Sequence, residues 1–137
     1  MKLKLFVLFF AALSISSCKD VADNSTKTLM TSEYLVEKIG ENNIEKYKLT
    51  LNFNIEENKV NGFSGCNQYY GSLKTSKENK VEFGNIGSTR MMCEEKMQLE
   101  NRFLETLQQT EIYELSSEKL LLKNEEGKVI IEAKKKN

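Results

Sequence analysis

The sequence predicts a mainly β domain: a curved antiparallel sheet or small β-barrel with one α-helix packed on it. Two observations predict this fold. Several segments alternate apolar and polar residues with a period of two, which is the pattern of strands with one buried face. One segment, residues 94–109, has instead the 3.6-residue period of an amphipathic helix and lies between two groups of strands. This order is typical of a sheet that carries a helix on one face or at one end.

The segments before the helix have strand patterns. Residues 33–39 alternate imperfectly between apolar and polar residues, and Gly40 can end the strand. Residues 47–55 alternate most regularly, so we expect a half-buried strand. A polar turn then leads to a strand that opens at Val60, and residues 79–86 form a further strand. The apolar face of the most regular segment consists of Tyr47, Leu49, Leu51, Phe53 and Ile55.

The predicted helix is followed by three strands, at residues 111–116, 119–123 and 128–133. Gly127 predicts a hairpin before the last strand, because glycine readily takes a positive φ. Glutamates in the first turn of the helix would favour the positive end of its dipole. These are Glu94 and Glu95, and the apolar face of the helix consists of Met97, Phe103, Leu104 and Leu107 with Leu99 at its edge.

Composition excludes several classes of function. The 137 residues contain no histidine, and 20 basic residues balance 20 acidic ones. Without histidine there is no Ser-His-Asp triad, no Cys-His pair and no imidazole ligand for a metal. The neutral balance does not favour nucleic-acid binding, which needs a clustered basic excess. We therefore expect no catalytic residues, no metal site and no cofactor.

Residues 1–17 have the pattern of a lipoprotein signal peptide. Lys2 and Lys4 precede the apolar run LFVLFFAAL, which is about half the ~20 residues that a membrane-spanning helix needs. The segment ends in ISSC, an aliphatic residue, two small residues and a cysteine, which resembles a bacterial lipobox. Cleavage there would leave Cys18 as a lipidated N-terminus, firmly attached if it carries more than one acyl chain. The alternative is an ordinary signal peptide that ends near a cysteine.

Residues 18–31 are polar and aperiodic, and we expect them to form a flexible tether between lipid and domain. The domain itself is expected over residues 32–133, and residues 134–137 form a basic tail that is expected to be solvated. This organisation predicts a protein of the bacterial cell envelope, held at the outer membrane on its periplasmic or surface face. The expected partner is the membrane, through lipidated Cys18, and a further candidate partner is an envelope protein or a small molecule whose identity the sequence does not specify.

Glu100 lies among apolar residues on the predicted helix. A buried carboxylate without a partner is costly, and Arg90, just before the helix, is the nearest candidate cation. The two interpretations are a structural Arg90–Glu100 ion pair and a catalytic acid. The sequence shows no second well-placed carboxylate and no histidine, so the ion pair is favoured.

Two cysteines remain after Cys18. Cys66 and Cys93 are an even pair in an exported chain, and the first interpretation of such a pair is a disulfide. The competing interpretation is two free, buried thiols that pack together. A nucleophilic cysteine is disfavoured, because no histidine is present to activate it.

The stretch GFSGCNQYYG, residues 62–71, lies between predicted strands. It lacks the lysine of a phosphate-binding P-loop and misses the Gly-x-Ser-x-Gly nucleophile pattern by one residue. Its glycines would permit a tight bend, after which Tyr69 and Tyr70 begin the next strand. Asn67, Tyr69 and Tyr70 are a candidate ligand surface. The alternative is that strand alternation places one tyrosine in the core and the other on the surface.

Three motifs occur in order: GFSGCN at residues 62–67, TRMMC at residues 89–93, and a helix with Met, Glu, Phe and Leu. This arrangement resembles the META domain family, which includes HslJ-like heat-shock lipoproteins, over roughly residues 32–133. The first strand of the family usually carries tryptophan before its leucine. Tyr34 takes that place here and can fill the same core position.

The resemblance implies a small, mainly β, exported domain for which the family has no established activity, cofactor or catalytic residue. Some members are associated with stress or antibiotic resistance, and others with motility or secretion. We therefore expect a non-enzymatic, lipid-anchored envelope protein. The alternative is a module that binds a small molecule or peptide in the periplasm or at the cell surface. A thiol redox enzyme is disfavoured, because Cys66 and Cys93 lack the close Cys-x-x-Cys spacing.

Overall fold

The computed structural model describes residues 28–136. They form an antiparallel sheet, one α-helix and a one-turn 3-10 helix at Glu45–Tyr47. The strands and the helix of this part of the chain are β1 (Ser32–Ile39), β2 (Asn42–Asn43), β3 (Thr50–Asn54), β4 (Lys59–Phe63), β5 (Gln68–Ser76), β6 (Lys80–Ser88), α1 (Met97–Gln108), β7 (Ile112–Leu115), β8 (Lys119–Lys123) and β9 (Val129–Lys135).

Neighbouring strands in the sheet follow the chain almost without exception. The order is β2-β1-β3-β4-β5-β6-β7-β8-β9, and every pairing is antiparallel. β9 also pairs with β1, from Tyr34↔Lys135 to Ile39↔Ile131, so the sheet curves until its first and last long strands meet. The predicted fold class, a curved antiparallel sheet with one helix, is confirmed.

Alternation along the strands places apolar side chains inside the curved sheet. Leu51 and Phe53 of β3 are fully buried, and Phe53 lies 5.7 Å from the ring of Tyr34. Tyr34 therefore fills a core position, as expected. Tyr47 and Ile55 are only partly buried, because β3 is shorter than predicted and Lys48 takes a left-handed φ of 56° just before it.

The helix begins later than the sequence suggests. Glu94 and Glu95 lie in a turn that precedes it, and its first residue is Met97. Phe103 and Leu107 are completely buried against the sheet, as expected. The side chain of Met97 is instead 40% exposed. It was predicted to lie on the buried face, but it occupies the first helical position, which the sheet does not cover.

Both ends of the domain differ from the predicted boundaries. Leu29, expected in the tether, is buried, and its N–H donates to the hydroxyl of Tyr113 at 3.3 Å. Thr31 accepts a hydrogen bond from the N–H of Ile55 at 3.2 Å, so the ordered domain begins before residue 32. At the other end β9 continues through Lys135, two residues into the predicted tail.

Cys18 and residues 1–27 lie outside the described residues. Within residues 28–136, no helix is long and apolar enough to cross a bilayer.

Candidate functional site

The site is built around the bend that joins β4 to β5, residues 64–67, all of which are buried. Gly65 makes the bend with a φ of 103°, a conformation that side chains with a Cβ rarely adopt. Just before the bend, Gly62 passes so close to β3 that a Cβ would lie 2.2 Å from the carbonyl oxygen of Thr50. The sequence GFSG therefore permits a backbone path that few other residues would allow.

The carboxylate of Glu100 lies against this bend and is only 8% exposed. Its Oε2 accepts hydrogen bonds from Ser64 Oγ at 2.7 Å and from the backbone N–H of Asn67 at 2.8 Å. Its Oε1 accepts from Asn67 Nδ2 at 3.0 Å. Ser64 Oγ also lies 2.7 Å from the carbonyl oxygen of Asn67, so its single hydrogen can serve either oxygen. These bonds satisfy the carboxylate with uncharged donors.

The expected Arg90–Glu100 ion pair is not formed. The salt bridges among residues 28–136 do not include Arg90 or Glu100, and the Arg90 side chain is exposed. The physical reason is that uncharged donors of the bend already satisfy Glu100, while the Arg90 side chain lies in solvent. Glu100 is nevertheless buried and partnered, and it joins α1 to the sheet.

Asn67 has a second set of partners on its other side. Its Oδ1 accepts from Thr89 Oγ1 at 2.8 Å and from the backbone N–H of Met91 at 2.7 Å. Through one side chain, the β4–β5 bend is bound both to α1 and to the segment that leads from β6 to the helix. Asn67 is 3% exposed, so it does not belong to a ligand surface.

Cys66 and Cys93 form a disulfide, with their Cα atoms 6.0 Å apart. This confirms the first interpretation of the pair over two free thiols. Cys93 comes just before the helix, and its carbonyl accepts the N–H groups of Lys96 and Met97 at 2.8 and 3.1 Å. The covalent link therefore fixes the start of α1 beside the bend that also binds Glu100.

The two adjacent tyrosines lie on opposite faces of β5. Tyr69 is buried, donates its hydroxyl hydrogen to the Thr50 carbonyl at 2.8 Å and packs edge-on against Phe103. Burial raises the pKa of Tyr69 well above its ordinary value of 10.0. Tyr70 is 62% exposed. The candidate surface of Asn67, Tyr69 and Tyr70 therefore reduces to Tyr70, because strand alternation and the bend direct the other two side chains inward.

The chain that contains the bend, the disulfide and the helix matches a known family. A sequence model of the META domain matches residues 27–137. The chain belongs to the META domain family. A comparison with curated proteins finds no match.

Solved structures share the fold of this META domain at low identity. A protein from Burkholderia xenovorans, studied by NMR, has a TM-score of 0.63 and 22% identity over 80% of this chain and 84% of its own. A DUF4847 family protein from Bacteroides vulgatus, in a crystal structure at 1.00 Å resolution, has a TM-score of 0.59 and 17% identity over 76% and 92% of the two chains. A further NMR structure has a TM-score of 0.59 and 23% identity over 77% and 90%. These likenesses concern the fold alone.

The polar residues of the META domain bend hold the bend, the helix and the sheet together. Its polar atoms bond to one another, and within residues 28–136 no three His, Cys, Asp or Glu side chains come together to hold a metal. The sequence did not identify Ser64 and Thr89 as partners in this network. Only the fold brings them to Glu100 and Asn67, although the buried position of Glu100 signalled that donors had to lie nearby.

Proposed function

We propose that this chain is a non-enzymatic lipoprotein that holds a META domain at the bacterial cell envelope. The observation that carries the proposal is the sequence ISSC, which follows a short apolar run and ends at Cys18. A diacylglycerol on that thiol, with a further acyl chain on the new N-terminus, would attach the chain stably. The outer membrane, on its periplasmic or surface face, is the proposed location.

The chain between the lipid and the domain would be short. Leu29 is already packed in the core, so ten residues, 19–28, separate it from Cys18. At about 3.3–3.6 Å per residue, this segment could hold the domain at most roughly 35 Å from the lipid. The domain would therefore work close to the membrane surface.

A non-enzymatic role is supported by the polar groups of the bend. Both carboxylate oxygens of Glu100 accept hydrogen bonds from neighbouring residues, and Cys66 is in a disulfide with Cys93. The groups that most resemble catalytic residues are thus occupied in holding the fold. A role in envelope stress or antibiotic resistance is part of the proposal and is supported by the family resemblance. Growth of a deletion strain under heat and antibiotic challenge tests it.

The anchor is tested by expressing the full chain in a bacterial host and comparing it with Cys18→Ser. We expect wild-type protein in the membrane fraction, with a mature N-terminus at Cys18 and the added mass of acyl chains by mass spectrometry. The Cys18→Ser chain should lack that mass and leave the membrane fraction after processing. Wild-type protein cleaved at another position, without lipid, would overturn the proposal.

A second candidate function is binding of a small molecule or peptide by the domain itself. The observation that favours it is the aromatic ring of Tyr70. This ring is exposed, whereas most apolar side chains that alternate along the strands are buried. A thermal-shift screen of ligand classes on the wild-type chain and on Tyr70→Ala tests it. Stabilisation that depends on Tyr70 supports binding, and its absence for every ligand class contradicts it.

A further inference from the structure

Tyr70 belongs to a row of residues that crosses four strands on the outer face of the sheet. The Cα partners are Asn52 with Asn61, Asn61 with Tyr70, and Tyr70 with Gly87. Residues directly before or after this row along the strands, such as Phe53 and Tyr69, are buried on the inner face of the sheet. Because adjacent strands are about 4.8 Å apart, two amide groups and one aromatic ring lie side by side on the outside.

The ring of Tyr70 lies across the backbone of β6. A Cβ built on Gly87 would be 3.0 Å from Cζ of the ring and 3.1 Å from Cε2 and the hydroxyl oxygen. Such contacts are too close for most side chains, so glycine allows the ring to rest at this position. Since Tyr70 is 62% exposed, the ring is both supported from β6 and open to solvent.

Amide groups lie on the same face of the sheet as the ring. Asn52 Nδ2 donates to Asn61 Oδ1 at 3.2 Å, which orients the Asn61 amide and leaves its Nδ2 without a protein partner among residues 28–136. Beside the ring is a shallow cavity of about 420 Å³, within the size range of small-molecule sites. The polar or aromatic side chains that line it include Asn58, Lys59, Asn61, Tyr70, Ser72 and Asn85.

Charge and topology restrict the kind of ligand. Lys59 is neutralised by Glu57, at 2.8 Å, so the site has no unbalanced charge to select an anion. An extended peptide cannot add to the sheet here, because β3, β4, β5 and β6 are already paired with one another across this row. The exposed ring and the neighbouring amide groups fit a neutral ligand with one flat apolar face and several hydroxyl or amide groups at its rim.

We propose that this face binds a neutral carbohydrate, with one pyranose ring stacked on Tyr70. The C–H groups of a pyranose face carry partial positive charge and would lie against the electron-rich face of the tyrosine ring. Its hydroxyl or acetamido groups would hydrogen-bond to the amides of Asn61 and Asn85. The proposal rests on the second candidate function, binding at Tyr70, and assigns the ligand class.

The test is an NMR titration of the ¹⁵N-labelled secreted chain, carrying Cys18→Ser, with soluble neutral tetrasaccharides of glucose, mannose and N-acetylglucosamine. We expect at least one sugar to shift the side-chain amide signals of Asn61 and Asn85. Tyr70→Ala should weaken that binding about tenfold, whereas Tyr70→Phe keeps the ring and should stay within about twofold. Gly87→Ala should weaken binding less than Tyr70→Ala does, because the new Cβ moves the ring by only a few tenths of an ångström.

Met92→Ala is the matched control, since Met92 is exposed but lies outside this face. It should bind the sugar as the wild type does, and thermal unfolding of every variant verifies that it is folded. No amide shift with any of the sugars, or a shift that folded Tyr70→Ala retains at full affinity, would overturn the carbohydrate proposal. If another ligand class then stabilises the chain in a Tyr70-dependent way, the proposal of a binding site at Tyr70 is supported and only the carbohydrate assignment is wrong. If none does, both proposals fail.

Discussion

The backbone N–H of Asn67 donates a 2.8 Å hydrogen bond to the carboxylate of Glu100, 33 residues later in the chain. The preceding residue, Cys66, is joined covalently to Cys93 at the approach to the same helix. A non-covalent and a covalent link therefore connect the β4–β5 bend and α1 at one place. The two links make separate predictions, because one depends on a carboxylate and the other on redox conditions.

Glu100→Ala should lower the free energy of unfolding by about 2–4 kcal/mol, because it leaves the buried N–H of Asn67 without an acceptor and removes one of the two carbonyl or carboxylate acceptors of Asn67 Nδ2. Urea unfolding followed by circular dichroism measures this change. Glu105→Ala is a matched control, since Glu105 lies on the same helix with an exposed side chain, and its effect should stay within about 0.5 kcal/mol.

Arg90→Ala should likewise change the free energy of unfolding by less than about 0.5 kcal/mol, because the exposed Arg90 makes no ion pair with Glu100. The same urea experiment measures it. A loss equal to that of Glu100→Ala would instead restore the ion pair as the partner of the buried carboxylate.

Removal of the disulfide by the double change Cys66→Ala and Cys93→Ala should lower the free energy of unfolding by roughly 3–4 kcal/mol. The disulfide joins residues 27 positions apart, and it stabilises the fold because the closed loop lowers the entropy of the unfolded chain. Chemical unfolding with and without a reductant gives the same comparison on the wild-type chain. Complete alkylation of both thiols in exported protein, before any reductant is added, would show that the bond is absent in the cell.

Stability should fall at alkaline pH through Tyr69. Burial raises its pKa above 10.0, so the folded state keeps a proton that the unfolded state releases. The difference in proton binding therefore leaves the free energy of unfolding unchanged below pH 10.0 and lowers it as pH rises from there toward the folded-state pKa of Tyr69. Tyr69→Phe should cost about 1 kcal/mol at pH 7 through the lost bond to Thr50, but should lose less stability than the wild type between about pH 9 and 11.

Urea unfolding at a series of pH values measures both effects, and Tyr70→Phe controls for removal of an exposed tyrosine hydroxyl. Parallel pH profiles for wild type and Tyr69→Phe would contradict the role of the buried hydroxyl.

Gly62→Ala should destabilise the domain severely, because the new Cβ would lie 2.2 Å from a backbone oxygen that cannot move independently of β3. Gly84→Ala is the comparison. Its Cβ would meet only the hydroxyl of Ser72 at 3.0 Å, and that side chain can rotate away. Soluble yield and thermal unfolding distinguish the two variants. Equal stability of both would show that β3 and β4 do not approach as closely as described.

Local sequence patterns were enough to predict the fold class and most of the core residues. Alternation in residues 47–55 predicts Leu51 and Phe53 inside, and the 3.6-residue period predicts Phe103 and Leu107 on the buried face of the helix. These patterns succeed because burial along a strand or helix is a local, periodic property. The same locality explains the misplaced helix start, since residues 94–96 have helical composition but lack the sheet contacts that would favour a helix there.

The pairing of polar groups, by contrast, depends on contacts between segments that are distant in the chain. The sequence indicated that buried Glu100 needs a partner, and proximity along the chain suggested Arg90. The partners are Ser64 and Asn67, more than 30 residues away, because the β4–β5 bend and α1 meet at one end of the sheet. The same holds for Tyr70. Alternation along the strand could predict that the Tyr70 side chain lies outside. Its contact with Gly87 and the amides beside it depend on the registers of four strands. Those registers are set by pairing between segments that are distant in the chain.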